Sequence, residues 1–221
     1  MMAMRKLFTP WMTPVVAALV AVSLAPAHAD EASDEGWIDL FNGEDLSGWF
    51  GTEGYKVEDG ILICTPQGKL MRTDEQFDNF VIELEVKFTP GANNGLGIRD
   101  PGEGNPAFDG MEIQILDNNH EKYANLSNYQ YHGSVYGIVP ADVEKTEYKP
   151  MGEWNSMRVT ANGPHIKVEF NGEVIVDADI SEVEPLSGHA HPGQHREGGH
   201  IVLMGHNDHV EFRSIRLKPL E

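Results

Sequence analysis

The sequence predicts an all-β chain folded as a two-sheet antiparallel β-sandwich of jelly-roll type, and three observations carry that expectation. Turn dipeptides punctuate the chain: Asn42-Gly43, Asp59-Gly60, Asn94-Gly95, Asp109-Gly110, Asn162-Gly163 and Asn171-Gly172. The runs between them are short and rich in Val, Ile, Phe and Tyr, residues that suit a pleated, half-buried surface. Pro, Gly and Asn recur too often for a long helix, and no regular repeat suggests a propeller.

Taken in order, Ile61-Leu62-Ile63 is the first clear strand. Phe80 to Phe88 places Ile82, Leu84, Val86 and Phe88 on one face and Glu83, Glu85 and Lys87 on the other, the pattern of a strand wet on one side. The segment from Asn93 to Asp100 puts Arg99 at the end of another strand. In Met111 to Leu116, Met111, Ile113 and Ile115 point to the core while Glu112 and Gln114 share the opposite face. Trp154 to Thr160 and Ile201 to Met204 read as further strands. His165 to Phe170 and Glu173 to Asp177 form a hairpin, because Asn171-Gly172 fills both left-handed positions of a type I′ turn. Ser187 to Gly199, rich in Gly, His and Pro, reads as an exposed loop, either beside a site or merely solvated. Trp37, Phe41, Trp49 and Trp154 read as aromatics that close the core near strand ends.

The chain has 221 residues, which suits one domain, and 35 Asp and Glu against 16 Lys and Arg give a formal charge of −19. Such a molecule is repelled by nucleic acid and by anionic membranes, so neither is an expected partner. Arg5 and Lys6, an apolar stretch from Val15 to Leu24 and Ala27-His28-Ala29 read as a signal peptide over residues 1–29. That stretch is shorter than the roughly 20 residues needed to span a bilayer, so stable membrane insertion after cleavage is not expected. Residues 30–35 are then an acidic lead and residues 36–221 a single domain, exported to a bacterial periplasm or exterior. One cysteine, Cys64, excludes an internal disulfide and a Cys-rich metal site.

Candidate chemistry concentrates at a few positions. Glu112 and Gln114 could grip sugar hydroxyls from one sheet face, and Asp117 at the strand end could reach the same space; by pattern alone, an ordinary wet face with an Asp-Asn turn is the plainer reading. Arg99 offers a rigid fork of donors or a surface ion pair. In Tyr131-His132-Gly133-Ser134-Val135-Tyr136, His132 could exchange protons near neutral pH or fill a core position. Six of the ten histidines lie between His189 and His209, yet their spacing matches no defined zinc pattern, so no metal ligands are assigned. His206 stands apart because it follows a strand, where a sheet presents a side chain into a cleft. No G-x-S-x-G elbow, Walker loop or dinucleotide fingerprint occurs, so nucleotide cofactors are not expected.

Four ordered blocks carry a family resemblance: Leu40 to Trp49, Gly110 to Asp117, Gly152-Glu153-Trp154-Asn155 and Val210 to Leu217. Together they resemble the 3-keto-disaccharide hydrolase domain family across the span from Gly36 to Leu220. The resemblance implies a concanavalin-like jelly roll similar to lectins and glucanases, acting on glycosides whose sugar carries a ketone at C3. It also implies site residues at Arg99, Glu112, Gln114, Asp117, His132, Tyr136 and His206. Many relatives have Gln or Asp just before the last of these histidines, where this chain has Gly205.

The implied chemistry is removal of the acidified C2 proton, expulsion of the group at C1 and addition of water. In that scheme His132 or Glu112 transfers the proton, and Arg99 or a divalent metal ion faces the enolate oxygen. Asp117 acts as acid or orients a partner, His206 completes the catalytic set, and Arg99, Gln114 and Tyr136 bind substrate. Three alternatives stand beside it: a conventional glycoside hydrolase with two carboxylates, a non-catalytic carbohydrate-binding module, and a structural envelope protein.

Overall fold

A computed structural model describes residues 35–221, so the expected signal peptide and almost all of the acidic lead lie outside the described residues. Thirteen strands follow in chain order: β1 (Ile38–Asp39), β2 (Trp49–Phe50), β3 (Tyr55–Glu58), β4 (Ile61–Cys64), β5 (Leu70–Phe77), β6 (Phe80–Phe88), β7 (Asn93–Asp100), β8 (Met111–Leu116), β9 (Trp154–Asn162), β10 (His165–Phe170), β11 (Glu173–Asp179), β12 (Gly199–Met204) and β13 (Val210–Pro219). One four-residue helix, α1 (Pro106–Asp109), lies between β7 and β8. Among the described residues no helix is long and apolar enough to cross a membrane.

The strands build two antiparallel sheets. The larger runs β11-β10-β9-β6-β13-β4-β3, with β1 also paired to β13 through Ile38 opposite Leu217; the smaller runs β2-β5-β12-β7-β8. In each sheet a late strand inserts between earlier ones, β13 between β4 and β6 and β12 between β5 and β7, which is the crossed connection of a jelly roll. The core between the sheets takes Ile82, Leu84, Val86 and Phe88 from β6. Opposite them stand Leu96 and Ile98 of β7, Met111, Ile113 and Ile115 of β8, and Ile201 and Leu203 of β12.

The larger sheet matches the period-2 expectation, since β6 alternates buried and half-buried residues along its whole length. Its outer face carries cross-strand ion pairs, with Glu83 facing Arg158 and Arg216 and Glu85 facing Arg213. Asn171 (φ 49°) and Gly172 (φ 90°) form the expected two-residue turn.

The smaller sheet departs from expectation. Every residue of β8 and β12 is buried, on both faces. Glu112 and Gln114, which the alternation of β8 assigns to a wet face, are 3% and 5% exposed. The reason is that the sheet's outer face is roofed by its own connections, α1 and the segment around Tyr123, Leu126 and Gln130. The loop from Ser187 to Gly199 is exposed over most of its length, as expected, but is anchored at its middle. It holds a short turn at Pro192–His195 in which Gly193 and Gln194 are buried, and its His191 ring lies 4.8 Å from Phe108 of α1.

Candidate functional site

Beneath this roof lies a cavity of about 310 Å³ floored by β8, β7 and the end of β12. Side chains alternate along β8, so with Ile113 and Ile115 committed to the core, Glu112, Gln114 and Leu116 must face the roof. On neighbouring β7 the same face reads Asn93, Gly95, Gly97, and the absence of side chains at the two glycines makes the floor. A Cβ at Gly95 would overlap the Glu112 carboxylate, so this glycine is the space into which Glu112 lies.

The walls come from three connections, β7 to β8, β8 to β9 and β12 to β13. Tyr136 belongs to a short segment hydrogen-bonded to β8, Gln114 N–H to Ser134 C=O (3.0 Å) and Tyr136 N–H to Glu112 C=O (2.8 Å). Its hydroxyl accepts from Gln130 Nε2 (3.3 Å), and its ring meets Phe108 edge-on. Phe108 is placed by α1, whose first turn is capped by Asn105 Oδ1 accepting Ala107 N–H (3.1 Å). Tyr123 donates to Gly91 C=O (3.1 Å), and Lys122 beside it pairs with Asp208 (3.2 Å), which ties the roof to the turn after β12. That turn supplies His206.

The electrostatics of the cavity centre on Glu112 and His206. His206 Nε2 lies 3.6 Å from Glu112 Oε1, an ion-pair separation longer than a hydrogen bond. The Glu112 carboxylate holds the His206 pKa above its ordinary value, against the opposing effect of burial, with Asp208 adding to the rise. Gln114 Oε1 accepts the Ile115 N–H (3.1 Å), which leaves its amide nitrogen as a donor. Glu112 Oε1 and Asn93 Oδ1 are buried with no hydrogen-bond partner. Buried acceptors of this kind are seldom left unpaired, and two of them on one cavity call for a ligand rich in donors.

Glu112, Gln114, Tyr136 and His206 thus come together, while three expected site residues do not. His132 is fully buried on the core side, its ring 4.3 Å from Phe170 and 5.4 Å from Phe88, with Nδ1 accepting the Leu116 N–H (3.3 Å). Burial pushes its pKa down to about 3, so it is a neutral core side chain and not a proton carrier in the cleft. Asp117 spends both oxygens on backbone, accepting from Gly91 N–H (2.8 Å) and Asn119 N–H (3.2 Å), and borders a separate cavity beside Tyr148. Arg99 has φ 54°, and this left-handed backbone turns its side chain to the end of the sandwich, where Nη2 donates to Gly163 C=O (2.7 Å).

The structure adds Asn93, Phe108, Tyr123 and Gln130 to the cavity. Asn93 has a readable signal in the sequence, since it shares a strand face with two glycines; the others depend on how the roof folds back. Among the described residues no three His, Cys, Asp or Glu side chains gather as metal ligands.

Comparison with known proteins agrees with this architecture. A 3-keto-disaccharide hydrolase from Bacteroides thetaiotaomicron is 25% identical over 93% of this chain and 87% of its own length. Two crystal structures of candidate glycosyl hydrolases from Parabacteroides distasonis superpose with TM-scores of 0.73 and 0.68. They are 23% and 28% identical, cover 87% and 83% of this chain, and are themselves covered over 97% and 99% of their lengths. The sequence pattern of one family spans residues 36–218, and the chain belongs to that family, the 3-keto-alpha-glucoside-1,2-lyase-like domains.

Proposed function

We propose that this protein cleaves the glycosidic bond of 3-keto glycosides by C2 proton abstraction, elimination and hydration. The observation that carries the reading is the Glu112–His206 pair, 3.6 Å apart in a cavity with unpartnered acceptors at Glu112 and Asn93. Glu112, as carboxylate, takes the C2 proton, which the neighbouring ketone acidifies. The electron pair left on C2 forms the enolate and then expels the C1 oxygen, which takes its proton from the His206 imidazolium. Both events occur on adjacent carbons, so a base and an acid one contact apart suit them. In this reading the amide N–H of Gln114 donates to the developing enolate oxygen. Water adds at C1 of the unsaturated ketone and a proton returns to C2, for net hydrolysis.

A conventional glycoside hydrolase needs two carboxylates flanking the scissile bond. Among the described residues lining the cavity, Glu112 is the one carboxylate, which favours the elimination route.

The test is incubation of the protein in deuterated water with a 3-keto glucoside and with its unoxidised parent, with and without chelator. The expected result is aglycone release from the keto substrate alone, with deuterium at C2. Glu112→Gln should lower kcat by about 10²–10⁴-fold. Equal release from both substrates would sink the proposal. Sugar binding without turnover would leave a lectin-like domain in its place, and loss of turnover with chelator would put a metal ion at the enolate oxygen.

A further inference from the structure

The smaller sheet carries a second feature on the same face as the cavity. Following direct cross-strand partners from β8 gives Glu112, Gly97, Val202, Arg72 and Phe50 in a single row. Residues paired this way project to the same side. The face with Glu112 at one edge therefore has Arg72 and Phe50 at the other, four strand spacings or roughly 19 Å away. Val202, midway, is fully buried and packed with Ala107 of α1, so the direct path is roofed. The adjoining row offers the shorter way out: Met204, itself 3% exposed, lines the cavity and lies opposite Leu70 on β5, which is only partly buried.

The far end is built rather than incidental. Phe50 is 40% exposed, and its ring is held edge-on to His200 at 5.5 Å. His200 is itself fixed by Thr73 C=O (2.7 Å) and Gln76 Nε2 (3.0 Å). Arg72 donates through Nε to Asp100 (2.6 Å), whose same oxygen accepts the Gly102 N–H (2.9 Å). The guanidinium is locked by one nitrogen while its two terminal nitrogens bond to nothing among the described residues. An immobilised aromatic face beside free, preoriented donors is the chemistry that receives a pyranose ring, with C–H groups on the ring of Phe50 and hydroxyls on Arg72.

We propose that the Phe50–Arg72 end is a subsite for the leaving-group side of the substrate. It rests on the elimination reading above: the 3-keto ring occupies the Glu112 cavity, the next ring crosses Met204 and Leu70, and a third stacks on Phe50. The span exceeds a disaccharide, so the inference assigns the protein a preference for 3-keto oligosaccharides of three or more units.

The test compares the full chain with Phe50→Ala and Phe50→Trp on two probes, a 3-keto trisaccharide and methyl 3-keto glucoside. The expected result is that Phe50→Ala lowers the trisaccharide-to-methyl ratio of kcat/KM by about fivefold to tenfold, while Phe50→Trp keeps or raises it. An unchanged ratio overturns the subsite. Calorimetric binding of the unoxidised trisaccharide is measured in parallel and needs no turnover. If wild type cleaves neither keto probe yet binds the trisaccharide in a Phe50-dependent way, the subsite stands and the elimination reading fails. If wild type cleaves the keto probes while trisaccharide binding is indifferent to Phe50, the elimination reading stands and the subsite fails.

Discussion

Two histidines at similar ordinary pKa end up with opposite roles because of what surrounds them. His206 sits beside a carboxylate that favours its charged form, so it remains an acid at a pH above 6.5, its usual value. If it protonates the leaving group, kcat falls as pH rises through that raised pKa, and His206→Ala removes this alkaline limb; a pH–rate profile of both proteins checks it. The same shift makes its pairing with Glu112 stabilising at low pH and lost as pH rises through the raised value. His132 runs the other way. The unfolded chain takes up its proton near pH 6.5 while the native core refuses it until about 3. Native stability contributed by this site is thus full above pH 6.5 and declines as pH falls, by up to about 5 kcal/mol near pH 3. His132→Asn should flatten the slope of unfolding free energy against pH between 6 and 4, measured by urea titrations, whatever its effect at neutral pH.

At the scale of elements, Gly95 shows how a strand without side chains makes a site. Gly95→Ala leaves the ladder between β7 and β8 able to form, but the new Cβ occupies the space of the Glu112 carboxylate. Turnover should drop by about 10²-fold through misplacement of the base, with circular dichroism and the unfolding midpoint reporting a retained fold. The alternation of β6 and the Asn171-Gly172 turn are legible in the sequence because their local chemistry allows one answer. β5 is not, since Arg72, Thr73, Asp74, Glu75 and Gln76 look like a loop until the partners of Arg72 and Thr73 across the sheet are known. Glu112 and Gln114 are legible as a pair by period, though their burial is not, because it depends on the roof. Strict alternation would carry Arg99 to the face of Gly95 and Gly97; a single left-handed residue breaks the count. His132 and Asp117 lie outside strands, where spacing says nothing about depth.

At the scale of the whole molecule, charge is the dominant global property. The excess of 35 acidic over 16 basic residues produces self-repulsion that salt screens. The ion pairs of Glu83, Glu85 and Glu211 on the outer face of the larger sheet are partly exposed, and screening weakens them as well, but such pairs contribute little each. Repulsion therefore wins, and the unfolding temperature should rise as sodium chloride is raised from low to physiological levels; a falling temperature would show that the pairs outweigh the net charge.

The pairing of β1 with β13 places the first strand of the sandwich against the last, Ile38 beside Leu217. The polypeptide thus enters and leaves the domain at neighbouring points, as in many modules that sit as inserts inside other proteins. A short linker could join these ends, and new ones could be opened at the exposed Asn171-Gly172 turn, giving a circular permutant in which every strand keeps its neighbours.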